Sequence, residues 1–447
     1  MSRFLPRFWA LLSLIAVTAL GFSQVTPPPT SPPTVPPAAP ATGAMDAKAK
    51  QDVLDRLQEI VTKQAFVPGV DFAKWPSFLE THRADIDKAD TEVAFQRELN
   101  RILKEFGVSH IALRTPSAAQ RRQSGTASGL GMQVKKTDAG LEVTTVFPQG
   151  PAGQAGIEVG DVIKEVEGKP AEDPALIRVD VGKTLAMKVV KKKDGTTKEF
   201  TLENKTFANR LPETVTWLGD DAAVLRIRTF ANGYDRKNIE SLIQQVNGKA
   251  KYLIIDLRSN GGGAVANLNH FLSMLMPDQT PVGTFIGRKV VDDYAKTHTE
   301  KLTDPIAIAA WADRKFKTNK REGIEPFTGK IAVLINRGSA SASEIASAAL
   351  KDCRDAVIVG QKSLGAVLAS TYGRLPGGWE IQYPMQDYVT IKGERLEGHP
   401  REPDLVVERP ADGAKDDAPD KALELLKKKT AAHTSSPSGQ IGHLLAA

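Results

Sequence analysis

Three short stretches of the chain combine residue types suited to acyl chemistry. The first is Arg337-Gly338-Ser339-Ala340-Ser341-Ala342-Ser343-Glu344, directly after the apolar run Ile331 to Ile335. Ile345, Ala348, Ala349 and Cys353 follow at helical spacing, so Ser341 stands where a strand gives way to a helix. Gly338, Ala340 and Ala342 keep bulk away from that serine, and a helix N-terminus favours negative charge developing beside it. The plain alternative is a helix cap, because Ser341 and Glu344 have the Ser-x-x-Glu spacing of a capping box. The second stretch is Asp256-Leu257-Arg258-Ser259-Asn260-Gly261-Gly262-Gly263, after the apolar run Tyr252 to Ile255. Three successive glycines leave N–H groups unobstructed for an oxyanion forming on a substrate carbonyl, although a simple strand-to-helix turn also accounts for them. A phosphate cradle fits less well, since this turn has neither a Gly-Lys-Ser/Thr ending nor G-x-G-x-x-G. The third stretch is Gly107-Val108-Ser109-His110-Ile111, a turn-to-strand step carrying an imidazole that is either a proton acceptor or polar punctuation.

The surrounding chain has to position these stretches. Its 447 residues suggest roughly three units at ~150 residues each. With 41% hydrophobic and 25% charged residues it can bury ordinary cores. A single cysteine, Cys353, excludes an intramolecular disulfide framework and a cysteine-based zinc cluster, and its place on the helical apolar face reads as packing. The formal charge of +6 predicts no nucleic-acid footprint, and the cluster Lys188, Lys191, Lys192 and Lys193 reads as a solvated turn.

Arg3 and Arg7 precede an apolar run from Phe8 to Leu20 followed by Gly21 and Ser23, the pattern of a secretory signal over 1–23. The protein is therefore expected to be exported, periplasmic or extracellular. The run is short of the ~20 residues that span a bilayer, so any membrane contact would come only from an uncleaved leader. Residues 24–45 are proline-rich and form an extended spacer. From 46 to 125 the pattern is helical, with Val53, Leu57, Ile60 and Val61, then Phe95, Leu99, Ile102 and Leu103, on apolar faces.

Residues 126–207 read as short strands and one short helix. Leu141, Val143 and Thr145 alternate with Glu142 and Thr144; Pro151 starts a helix, Gly156 ends it, and Gly160-Asp161 turns into another strand. This stretch resembles a PDZ domain, in which a loop like Ser128-Gly129-Leu130-Gly131-Met132 offers N–H groups to a peptide's terminal carboxylate. Glycines permit that close approach, and an exposed strand edge accepts an extended peptide. From 208 to 410, apolar strands without alternation exchange with amphipathic helices, which implies βαβ crossovers and a mostly parallel sheet with sites at strand carboxyl ends.

The joint order of SHIAL (109–113), the PDZ-like unit, DLRSNGGG (256–263), GSASASE (338–344), VGQKSLGA (359–366) and EGHPREPD (397–404) resembles the carboxyl-terminal processing and tricorn-type serine peptidases. The likeness implies an α/β fold: a crotonase-like ββα-spiral core, an N-terminal helical segment and an inserted PDZ-like domain. It also implies Ser341 as nucleophile, with the N–H groups of Gly262 and Ala342 as oxyanion hole. In the carboxyl-terminal processing branch a lysine base lies 25 positions after the serine; here that position is Ala366, and the accompanying glutamine is replaced by Ser370. Lys362 is the nearest lysine but precedes the turn Ser363-Leu364-Gly365. The tricorn-like branch uses a serine-histidine pair from the segment before the core and a glutamate beyond the nucleophile. Ser109-His110 matches that pair and Glu397 is the candidate acid, with Asp387, His399 and Glu402 in its neighbourhood.

The expected partners are polypeptides, engaged through extended segments or C-termini; no metal or cofactor is needed for an acyl-enzyme route. Because His110 and Ser341 flank the PDZ-like insertion, a hinge movement is expected to assemble or separate them. Two rival classes are a catalytically inactive PDZ scaffold and a crotonase-type acyl-CoA enzyme, the latter expected to lack an export signal and a peptide-binding insertion. The stretch 277–329, with Trp311 and the basic run Arg314 to Arg321, reads as an insertion serving as lid or oligomer contact. Residues 411–447 are expected to form a helix with Leu423, Leu425 and Leu426, then a mobile tail over 435–440.

Overall fold

The computed structural model describes residues 44–408 and 415–434. The signal segment, the spacer up to residue 43 and the tail over 435–440 lie outside the described residues. No described helix is long and apolar enough to cross a membrane.

The helix Ala47–Lys63 starts at Asp46, whose carboxylate accepts the N–H of Ala49 at 2.7 Å. Thr91 caps the helix Glu92–Glu105 in the same way. Their apolar faces meet in one core with Leu113 from the strand that follows and with Trp379, Ile381 and Tyr383 from far along the chain. The helix Pro116–Ser124, with Thr115 and Pro116 as cap and first residue, lies inside the stretch read as helical, beyond its two periodic apolar faces.

In the second unit the sheet order is Met132–Thr137, Gly140–Val146, Val162–Val166, Thr184–Val190, Thr197–Glu203. Met132–Thr137 is an edge strand. Leu141 and Val143 point into the core, as their alternation predicts. The lysine cluster is not one solvated turn. Lys191 is buried and bonds Asp161, itself fully buried, as well as the Gly156 carbonyl at 2.8 Å. Lys188 pairs with Glu165 across neighbouring strands. A buried lysine persists here because a carboxylate and a carbonyl satisfy it.

The core contains two sheets. In the first, Thr214–Leu218 pairs antiparallel with Ala222–Arg226, and Tyr252–Asp256, Lys330–Ile335, Val357–Gly360 and Leu405–Val406 follow in parallel. Leu253 and Ile255 face the helices Arg236–Val246, Val265–Leu272 and Ala342–Arg354, whereas Ile254 faces Ala418–Thr434. Covering both faces explains the continuous apolar strands. Cys353 is half-buried at the rim of this core, less enclosed than its helical position suggests.

The second sheet has no signature in the sequence pattern. Its long strand Glu380–Thr390 pairs antiparallel with Ala112–Arg114 at one end and with Pro281–Gly287 at the other, and also with Ala369–Arg374. The stretch 277–329 is therefore not an appended lid, because its strand Pro281–Gly287 sits inside a sheet and its helices Arg288–Ala295 and Pro305–Trp311 pack there. The pairing Ala112↔Gln382 carries the preceding residues, Ser109 and His110, to the core.

Candidate active site

Ser341 has φ 56° and ψ −119°, not the extended geometry of an ordinary helix cap. A non-glycine residue in that region is strained and persists only where its surroundings hold it. Here its N–H donates to the Ala366 carbonyl at 2.8 Å and to Glu344 Oε2 at 3.1 Å. Glu344, 1% exposed, also accepts the N–H groups of Gly365 (2.7 Å) and Ala366 (3.0 Å) and the Ser363 hydroxyl. Burial pushes its carboxyl up, and those bonds offset only part of that. Glu344 thus ties the serine turn to the 363–366 turn, a tertiary role that the capping-box spacing did not reveal.

The glycine turn lies directly against this serine. A Cβ on Gly262 would come within 2.7 Å of Ser341 Cβ and 2.9 Å of the Ala342 nitrogen. Asn260, fully buried, holds the two turns together, its carbonyl accepting from Ala340 N–H at 3.1 Å and the Ser343 hydroxyl at 2.8 Å. Its side chain also accepts the Gly262 N–H at 2.9 Å. Of the two expected oxyanion donors, Ala342 is in the first turn of its helix, where N–H groups lack intrahelical acceptors. Gly262 already has a partner, so an oxyanion there must compete with the Asn260 amide.

The histidine segment closes the other side. Ser109 Oγ donates to Glu397 Oε2 at 3.0 Å and lies 2.9 Å from His110 Nδ1. A hydroxyl has one proton, and this one goes to the carboxylate; Nδ1 must then carry the proton it donates to Ser109, leaving Nε2 with its lone pair. Glu397 is fixed further by the Val367 N–H at 2.7 Å. The other acids are engaged elsewhere: buried Asp387 with Arg395, exposed Glu402 with exposed Lys362, while the His399 ring bonds the Glu397 carbonyl. Glu397 reaches His110 through Ser109, not directly. Burial pushes the His110 imidazole down to about 4.

His110, Ser341 and Gly261 to Gly263 line one cavity of about 820 Å³, with no hydrogen bond between the imidazole and the serine. Position 366 is beside the serine, as its carbonyl bond to Ser341 requires, but carries only a methyl group. The cavity wall includes Arg114, Arg121, Arg122, Ser370, Tyr372 and Gln382, of which the sequence reading singled out only Ser370, as the residue where the glutamine is absent.

In the PDZ-like unit, Ser128, Gly129, Leu130 and Met132 line a groove of about 420 Å³ along the edge strand, faced by Ile177 and Arg178. Gly131 does not line it. At φ 76° its Cα packs on Gly150, where a Cβ would lie 2.6 Å from the Gly150 Cα, so that glycine shapes the turn.

Residues 128–203 match the sequence model described as PDZ domain, and residues 221–407 match that of Peptidase family S41. A Staphylococcus haemolyticus (strain JCSC1435) protein named "Probable CtpA-like serine protease" is 26% identical over 302 residues, covering 64% of this chain and 54% of the relative. The chain thus spans about half the length of the curated relatives it matches. Among solved structures, the photosystem II D1 C-terminal processing protease aligns with TM-score 0.43 and 19% identity over 80% of this chain and 93% of that one. The tricorn protease aligns with TM-score 0.48 and 14% identity over 86% and 36%. Over 221–407 the chain is thus similar to peptidase family S41, and over the preceding 128–203 to a PDZ domain.

Proposed function

We propose that this protein is an exported serine endopeptidase that hydrolyses extended or C-terminally presented polypeptides through an acyl-enzyme. The observation that carries the reading is the Glu397–Ser109–His110 chain, ending at a cavity that also takes Ser341. Substrate binding brings the scissile carbonyl between Ser341 and the imidazole. Nε2 takes the hydroxyl proton as Oγ attacks, and Nδ1–H, held through Ser109 to the carboxylate, stabilises the imidazolium. The Ala342 N–H, at a helix N-terminus, receives the oxyanion. The imidazolium returns its proton to the leaving amine, and water, deprotonated by the same nitrogen, hydrolyses the ester. The PDZ groove takes a substrate segment as an added strand, with Arg178 available to a terminal carboxylate.

A fluorophosphonate probe is expected to label the wild-type protein and to fail with Ser341→Ala and with His110→Ala. Labelling that survives Ser341→Ala overturns the assignment. Wild-type protein that never labels favours the inactive scaffold, a reading that the engaged Gly262 N–H supports. The pH dependence is a separate check. A base held down to about 4 is neutral above that value, so kcat/KM should be flat from pH 8 to about 5 and fall on the acid side with a midpoint near 4. A midpoint at 6.5 to 7, the range of an unperturbed imidazole, contradicts the buried base.

A further inference from the structure

Resting on the peptidase reading above, the geometry points to a subsite beside Ser341 that selects a substrate carboxylate. Three arginines, Arg114, Arg121 and Arg122, line the same cavity as Ser341 and His110, and no aspartate or glutamate lines it. One carboxylate stands behind them. Glu380, 2% exposed, accepts from Arg122 through both oxygens at 2.6 Å, with Arg114 Nε 3.7 Å away. Burial pushes the Glu380 carboxyl up, but the bonds from Arg122 and Gln123 outweigh this and hold it below the usual range, so it is ionised. It offsets one of the three positive charges and leaves a surplus of two facing the cavity.

Arg114 and Arg122 are held in place before any substrate arrives. The Arg122 guanidinium lies 3.9 Å from the centre of the Tyr372 ring and that of Arg114 lies 5.3 Å from it. Arg114 is further fixed by Gln382 at 2.9 Å, which Ser370 holds in turn at 2.8 Å. Arg121, in the last turn of the helix Pro116–Ser124, is exposed and makes no ion pair among the described residues. A fixed platform with one unpaired guanidinium suits an anionic group that binds by charge-assisted hydrogen bonds. General stabilisation of the oxyanion by the same charge would speed every substrate alike; a subsite discriminates between acids and their amides.

The carboxylate can come from an internal Asp or Glu or from the substrate's own C-terminus, and two peptide sets separate these sources. In amidated peptides, Asp or Glu at one fixed distance from the cleaved bond should raise kcat/KM about tenfold over the Asn or Gln peptide. In neutral peptides the free acid is compared with the amide; a preference there that disappears in Arg178→Gln belongs to the PDZ groove, not to this subsite. A preference in either set that falls to within about twofold in Arg121→Gln, and persists in the remote charge control Lys362→Gln, supports the proposal. Between 50 mM and 500 mM salt the wild-type ratio should shrink. Cleavage with no acid-to-amide preference, or a preference that Arg121→Gln leaves intact, overturns it. Wild-type protein that cleaves none of the peptides overturns the peptidase reading as well.

Discussion

Ser341→Ala is expected to lower kcat by roughly 10⁴-fold or more, and His110→Ala in the same background to lower it no further, because nucleophile and base act as one unit. The effect should be that large because the turn around Ser341 leaves no second hydroxyl in its place. Ser339 and Ser343, its nearest serine neighbours in the chain, are buried and donate to the carbonyls of Leu257 and Asn260. Ser109→Ala keeps His110 and Glu397 but removes the hydroxyl between them, so the imidazole loses the partner that fixes its tautomer. A loss of roughly 10²- to 10⁴-fold is expected there, by analogy with other triads stripped of their orienting group. Steady-state rates on a casein-type unfolded substrate, with folding monitored by circular dichroism, measure all three variants. Multiplicative losses for Ser341→Ala and His110→Ala would mean that the two residues do not share a proton, and the mechanism would fail with them.

Glu344→Gln should cost at least about 3 kcal/mol of stability, since hydrogen bonds to a buried charged group contribute more than neutral ones and their donors cannot turn to water. Four donors converge on this carboxylate: the N–H groups of Ser341, Gly365 and Ala366 and the Ser363 hydroxyl. A glutamine keeps the shape but brings an NH₂ group to face N–H groups, so at least one donor loses its acceptor. Urea unfolding reads the loss, and activity should fall with it because the same bonds hold Ser341 at φ 56°. The exposed pair Lys362–Glu402 supplies the control, as Glu402→Gln should change stability by no more than about 0.5 kcal/mol. A Glu344→Gln midpoint indistinguishable from that control would reduce Glu344 to a helix-capping residue.

Much of this protein is legible without coordinates, for identifiable reasons. Period-3.6 apolar patterns mark the helices Ala47–Lys63 and Glu92–Glu105 because each buries one stripe. Unbroken apolar runs mark Tyr252–Asp256 and Lys330–Ile335 because both faces of those strands are covered. The order of motifs, rather than any one of them, carries the likeness to a peptidase family. The absence of a lysine at 366 is likewise a property of the sequence alone, and it redirects attention to Ser109-His110.

Other features depend on partners distant in sequence, and periodicity says nothing of those. Pro281–Gly287 carries a proline and two glycines that weaken any strand signal, and only its pairing with Glu380–Thr390 makes 277–329 part of a sheet. Lys191 reads as surface charge until Asp161, 30 positions away, is found buried beside it. The choice of Glu397 over Asp387 and Glu402 rests on which carboxylate the Ser109 hydroxyl reaches, and the engagement of the Gly262 N–H on which way the Asn260 amide points. Sequence determined the residue types and the local elements, since these follow from side-chain chemistry and short-range spacing. Tertiary structure decided which charges meet and which donors are free, because a buried polar group takes its character from whatever the rest of the chain packs against it.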